Sequence, residues 1–312
     1  MTGKRNLVHT VFLFLLPLIV AWFGFSAATA AGLVLLMLLW RWMISLSTFV
    51  APEKVPALVL DSISASHFVE KVRWNLDRAG INYVEKASGG TLGAFFAGRT
   101  VPRLRIKTGA VRSQIGNSPE ILRYLWGANS GRDEHDVSHL EPTTERLALE
   151  KRLDRYGTNL QVWIYDHILK DRELTLHLWG ANSPTVAGWQ RGALRCLFPI
   201  QRFLIRRSFR ITPENVAKAG HYIEDLLTEM EASLSDGRAS ILGGETLNFT
   251  DLGFAAMTGA WLQPAAYGGG KADFVLVARD NLPEAMRADV ERWCEDYPRA
   301  VAWVDTMYAE ER

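Results

Sequence analysis

The chain has 312 residues, 48% hydrophobic and 22% charged, enough for one large domain or two ordinary ones with a real core. This excludes a disordered or collagen-like chain. Thirty-five Lys and Arg against 34 Asp and Glu leave a net charge of +1, so there is no electrostatic reason to expect nucleic acid as a partner. Cys196 and Cys294, the two cysteines, form no Cys-x-x-Cys, which argues against a disulfide scaffold, a zinc ribbon or a thioredoxin-type redox pair and favours a reducing compartment.

The first 50 residues hold Lys4, Arg5 and Arg41 and no acid, and from Val11 to Trp40 no residue is charged. A bilayer crossing takes about 20 apolar residues, so Leu7–Phe25 and Ala28–Val50 read as two spans joined by Gly24-Phe25-Ser26-Ala27. Residues 1–52 are thus expected to form a transmembrane helical hairpin that meets the lipid bilayer through residues 7–50. The alternative is a secretory signal, since Lys4-Arg5, the apolar stretch and Ala28-Thr29-Ala30 imitate its three regions. In both readings the second span ends on the cytoplasmic side, where Glu53 and Lys54 follow. The expected location is a membrane, a bacterial inner membrane by preference, with the remaining domains facing the cytoplasm. Trp40-Arg41-Trp42 reads as a headgroup boundary.

Beyond Pro52 strands and helices alternate. Leu58-Val59-Leu60 is a buried strand, Asp61–Ser66 a polar turn, and Phe68–Ala79 carries apolar residues at helical spacing, ended by Gly80. Ile81–Glu85 reads as a second strand. After a Gly-rich loop, Arg103–Lys107 and Val111–Ile115 form two more strands around Thr108-Gly109. Asn117-Ser118-Pro119 starts a helix, a capping side chain followed by Pro. The order is βαβ, loop, ββα.

That order, together with Ser64-Ala65-Ser66, Val72-Arg73-Trp74-Asn75-Leu76, Thr100-Val101-Pro102-Arg103-Leu104 and Asn117-Ser118-Pro119-Glu120-Ile121, resembles the thioredoxin-like N-terminal domain of the glutathione transferase superfamily. The resemblance covers about residues 57–126. It implies glutathione as co-substrate, a cis Val101–Pro102 bond with Val101 offering backbone groups to the peptide, and Asn117 and Ser118 holding the γ-glutamyl end. It places Ser66 where the family donates a hydrogen bond to the glutathione sulfur, with Ser64 and His67 as secondary candidates. Ser66 and Ser64 equally suit a plain helix cap. Two departures from the family's pattern are His67, where many relatives have Pro, and Asn117, where many have Glu or Gln and which cannot neutralise an ammonium.

After a linker at 128–140, residues 141–312 read as an all-helical domain. Thr143–Leu169 and Val216–Leu234 carry broad apolar faces, and Asn248 with Asp251 forms a variant capping box before Leu252–Leu262, a motif that extends the resemblance. Asp133–His139 reads as a solvated loop and no metal site is expected. Trp189–Arg210 contains six Arg and no acid. Arg191, Arg195, Arg202 and Arg206 fall within about 60° on a helical wheel, and Pro199 splits the stretch into two helices. This composition suits contact with anionic lipid; an exposed basic face balanced by Glu214 and Glu224 is the alternative.

The fold expected is therefore a thioredoxin-like α+β domain at 57–127, an all-α domain at 141–312 and an N-terminal membrane hairpin. The function expected is a membrane-anchored glutathione transferase-like or peroxidase-like enzyme acting on apolar electrophiles. A non-catalytic adaptor in a membrane complex, comparable to metaxin-like relatives, is the alternative, and a homodimer is a further candidate partner.

Overall fold

The computed structural model describes residues 15–16, 18–24, 26–47, 55–90, 92, 101–109 and 111–312. Contacts divide the chain into two compact units, Met1–Ala57 with Ile106–Ser113, and Leu58–Arg105 with Gln114–Arg312.

In the first unit, helix α1 covers Ala27–Ser47. Ser26 caps it, its Oγ accepting from the Thr29 amide at 3.3 Å, and Gly24 turns the chain beforehand at φ 78°, where a side chain would be strained. Leu35, Leu36, Leu39, Trp40 and Trp42 are exposed. The first expected span, Leu7–Phe25, lies largely outside the described residues. Among the described residues, no helix is long and apolar enough to cross a membrane.

The rest of the chain begins with β1 (Ala57–Ser62), α2 (His67–Arg78) and β2 (Tyr83–Ala87). β1 and β2 run parallel, Leu58 opposite Tyr83. β3 (Arg103–Thr108), β4 (Val111–Gly116) and α3 (Ser118–Asn129) follow, and the strand order is β2-β1-β3-β4. The two-residue connection between β3 and β4 requires an antiparallel pair. This is the thioredoxin-like arrangement that the element order predicts. β2 starts two residues later than expected because Ile81 closes α2 instead: Gly80 at φ 63° lets the Ile81 amide reach the Leu76 carbonyl at 3.0 Å and its own amide reach Asp77 at 3.1 Å, a Schellman closure.

The remaining helices are α4 (Thr144–Ile168), α5 (Arg172–Leu178), α6 (Gly188–Cys196), α7 (Phe198–Ser208), α8 (Pro213–Ser233), α9 (Phe249–Leu262), α10 (Glu284–Asp296) and α11 (Pro298–Glu310). Pro199 sits in the first turn of α7, so the basic stretch is split where the sequence indicates. Between α9 and α10, Gln263 is left-handed and Gly268, Gly269 and Gly270 all have positive φ, so the chain leaves helical geometry there.

α9 is the central helix, buried along nearly its whole length and packed on α2 and α4. Its start is the expected capping box: the Asn248 side chain accepts from Thr250 N at 3.0 Å, and Asp251 Oδ2 accepts from Asn248 N at 2.8 Å. Asp251 also accepts from Ser240 Oγ and Ile241 N, both at 2.8 Å, so one carboxylate fixes the helix and the loop before it. Gly157 on α4 permits the junction, because a methyl there would lie 2.6 Å from Met257 Sδ and 2.9 Å from Phe68 Cζ.

α2 lies between the sheet and the helices and is buried from Val69 to Asn75, charged residues included. Each charge is paired, as burial demands. Arg73 contacts Glu70 at 2.6 Å and Glu85 at 2.7 Å, and Arg312 contacts Glu70 at 2.7 Å. Lys71 meets Glu150 and Asp154 at 2.9 Å. The Trp74 indole donates to the Glu311 carbonyl at 3.1 Å.

Candidate functional site

A cavity of about 400 Å³ lies where α2 begins. Ser66, His67 and Phe68 line it, joined by Val101, which precedes Pro102, and by Asn117, which precedes α3. The Val101–Pro102 bond is cis, as the resemblance implies. The Asn117 amide donates to the Pro102 carbonyl at 3.2 Å, tying the two loops together. The opposite wall is helical and largely apolar, with Ile164 and Ile168 from α4, Trp179 after α5, Ile205 from α7 and Phe209 just beyond it.

Ser66 is the N-cap of α2, in extended backbone, and its Oγ accepts from Val69 N at 3.4 Å. Acceptance uses a lone pair and leaves the hydroxyl proton free to donate elsewhere. The cap and the sulfur-binding role expected of Ser66 are therefore chemically compatible. The free amides and the dipole of the first turn add positive potential at the same spot. Ser64 is buried and lies outside the cavity lining.

Asn117 stands at the N-cap position of α3 with φ 74° and ψ 135° and makes no side-chain capping bond. This corrects the expectation of a capping side chain there. Its backbone sits in a region sparsely populated by residues other than Gly, and such strain concentrates at ligand-facing positions. Ser118 is the first helical residue and fully buried, and its hydroxyl has no hydrogen-bond partner. It is therefore not a cap either.

His67 is a core residue. Its Nε2 lies 3.0 Å from the Gly157 carbonyl, so that nitrogen carries the proton. Burial lowers its pKa to about 4; it stays neutral and cannot serve as a cation for a thiolate. Burial also lowers buried His139 to about 4, with Arg78 contributing. Because the unfolded histidines take protons near 6.5 and the folded ones near 4, stability is complete above about pH 6.5 and is lost as pH falls toward 4. At pH 5 the loss is expected to be about 2 kcal/mol per histidine. Urea titrations at pH 7 and pH 5 check this, His67→Gln being expected to flatten the difference by about one histidine's share; a wild-type stability unchanged between the two values contradicts it.

Several cavity residues carry no sequence signal. Gln263 projects from the left-handed end of α9, its Oε1 accepting from Val277 N at 2.8 Å. Tyr267, in the glycine-rich loop, donates to the Ala65 carbonyl at 3.2 Å. Tyr165 has its phenol pushed up to about 12 by burial. Thr158 and Gln161 complete the polar part. Among the described lining residues none is Asp, Glu, Lys or Arg, so what they offer is hydrogen bonds and apolar surface. Among the described residues no cluster of three metal-ligand side chains exists.

No family model matches the chain, and no curated protein is similar to it at a significant level. Solved structures similar to it include a glutathione S-transferase of Methylobacterium radiotolerans in complex with glutathione sulfonate, 15% identical over 81% of this chain and 91% of that one, TM-score 0.48. A glutathione S-transferase of Ceriporiopsis subvermispora in complex with glutathione is 15% identical over 82% of this chain and 98% of that one, TM-score 0.46. A maleylacetoacetate isomerase of Anaeromyxobacter dehalogenans is 16% identical over 81% of this chain and 85% of that one, TM-score 0.41.

Proposed function

We propose that the protein is a glutathione transferase-like enzyme that activates the glutathione thiol at Ser66 and joins it to apolar electrophiles. The observation that carries this reading is the convergence of Ser66, Val101 and Asn117, distant in sequence, on one cavity whose other wall is apolar. Val101 supplies backbone groups to the peptide, and Asn117 receives the γ-glutamyl end at the start of α3, while Ser118, fully buried, lies behind the cavity lining. The Ser66 proton donates to the sulfur and favours the thiolate. The thiolate then attacks the electrophilic carbon; a carbon–sulfur bond forms, and the electron pair leaves with the displaced group or is protonated after addition. Residues 7–50 would anchor this enzyme to a membrane with its catalytic part on the cytoplasmic side.

One observation favours a second reading, a non-catalytic adaptor of the same fold. Among the described lining residues none provides a counter-ion for the carboxylates and ammonium of glutathione, and buried uncompensated charge is costly. Calorimetric titration of the full-length protein with glutathione separates the two. Saturable heat accompanied by thiolate absorbance is the expected result; no heat and no thiolate selects the adaptor.

A further inference from the structure

The stretch that supplies Ile205 and Phe209 to the cavity also carries an unusual outer surface. Trp189, Leu197, Ile200, Phe203 and Leu204 are 60%, 42%, 59%, 64% and 54% exposed. On α7, Ile200, Phe203 and Leu204 are spaced i, i+3, i+4 and form one outward stripe, while Phe198, Gln201 and Ile205 are buried on the opposite face. The helix is apolar on both sides. Arg202 and Arg206 lie between the two faces, and Arg207 closes the outer stripe at its C-terminal end.

The arginines are not balanced by acids. Among the described residues, none of Arg191, Arg195, Arg202, Arg206, Arg207 and Arg210 takes part in an ion pair. The Arg195 guanidinium is held by neutral oxygens, the Ala181 carbonyl at 2.7 Å and Asn182 Oδ1 at 2.8 Å. Glu224, one acid that could have offset this face, is paired with Arg292 at 2.7 Å. The other, Glu214, lies in the first turn of α8, its carboxyl held low by its own backbone amide and Thr212.

A flat apolar stripe bordered by unpaired arginines is complementary to a surface that is apolar below and anionic above. We infer that the outer face of α6 and α7 rests on anionic lipid, Phe203 and Leu204 among the acyl chains and the arginines at the headgroups. A second copy of this face is a poor occupant, since it would set six arginines against six. Because Ile205 and Phe209 reach the cavity from the same segment, the substrates are electrophiles dissolved in that lipid. This last step rests on the transferase reading above; the lipid contact does not.

The test uses full-length protein carrying Cys294→Ser, with a nitroxide on Cys196, which is exposed at the joint between α6 and α7. The protein is reconstituted into nanodiscs of phosphatidylcholine alone or with phosphatidylglycerol. In the anionic discs at 0.1 M salt, where the screening length is about 10 Å, oxygen collisions are expected to rise and those of a polar nickel complex to fall. Phe203→Glu/Leu204→Glu should return the nitroxide to its water-exposed values. Water-like accessibility in the anionic discs, or immersion that the double substitution leaves intact, overturns the lipid contact. The second measurement is glutathione conjugation in vesicles. Phe203→Glu/Leu204→Glu is expected to raise KM for a lipid-partitioned electrophile by roughly tenfold or more and to leave KM for a water-soluble one unchanged. Equal effects on both overturn delivery from lipid, and absence of conjugation in wild type overturns the transferase reading and the delivery that rests on it, leaving the nitroxide result to decide the lipid contact.

Discussion

Ser66→Ala is expected to slow glutathione conjugation by roughly 10- to 1000-fold, the range for loss of one preorganised donor at a developing or stabilised anion. The bound thiol of the wild type should titrate below its solution value, since a donated hydrogen bond and a helix N-terminus both favour the charged form. In the variant that shift should shrink, lowering the rate most at neutral pH and least where glutathione ionises unaided. Folding should weaken by no more than about 1 kcal/mol, because the cap it removes is one bond at 3.4 Å. Ser64→Ala is the control, since Ser64 lies two residues away and outside the cavity. Stopped-flow thiolate absorbance with both variants decides the matter. Equal rates in wild type and Ser66→Ala, with only the melting temperature altered, would leave Ser66 as a helix cap alone.

The second large effect is on stability. Glu70 is fully buried and holds two guanidiniums, Arg73 at 2.6 Å and Arg312 at 2.7 Å. Glu70→Gln keeps the shape and removes the charge, leaving Arg312 with only the exposed Asp77 at 2.9 Å and Arg73 with Glu85 alone. Breaking a buried pair by deleting one partner costs about 3–5 kcal/mol, and that is the expected loss in denaturant unfolding. Because Arg312 and Glu70 act as one unit at 2.7 Å, Glu70→Gln/Arg312→Met should lose less than the two single variants together. Additive losses would mean that the pairs contribute independently.

The local features of the fold were readable because their signals are local. Gly80 ends α2, Asn248 and Asp251 set the start of α9, and Pro199 divides α6 from α7, each through chemistry within a few residues. The thioredoxin-like order of β1, α2, β2, β3, β4 and α3 followed from such pieces taken in sequence. Features that depend on distant chain were hidden. Glu70, Lys71 and Arg73 are charged residues whose burial no local spacing signals, since α9 and residues 311–312 cover them. The cavity was half legible: Ser66, Val101 and Asn117 carry motif-like neighbours, whereas Gln263, Tyr267 and Ile205 face it through loop and packing geometry that no spacing encodes. Asn117 shows the opposite error, since its residue type promises a cap and its positive φ turns it to another use.

The pairing of Glu70 with Arg312 also orders events during synthesis. A ribosome that has completed β1, α2 and β2 has made Glu70, Arg73 and Glu85, two carboxylates and one guanidinium, without the cation that balances them. At about 5–20 residues per second, residue 312 follows on the order of 10 to 50 seconds later. Until then the surface of α2 that α9, Glu311 and Arg312 will cover is open, and Arg73 alone balances Glu70 and Glu85. The thioredoxin-like part therefore cannot reach its final packing ahead of the helices. The packing of α2 waits for Glu311 and Arg312, and a stop within α11 would leave the thioredoxin-like part unfinished as well as the helices.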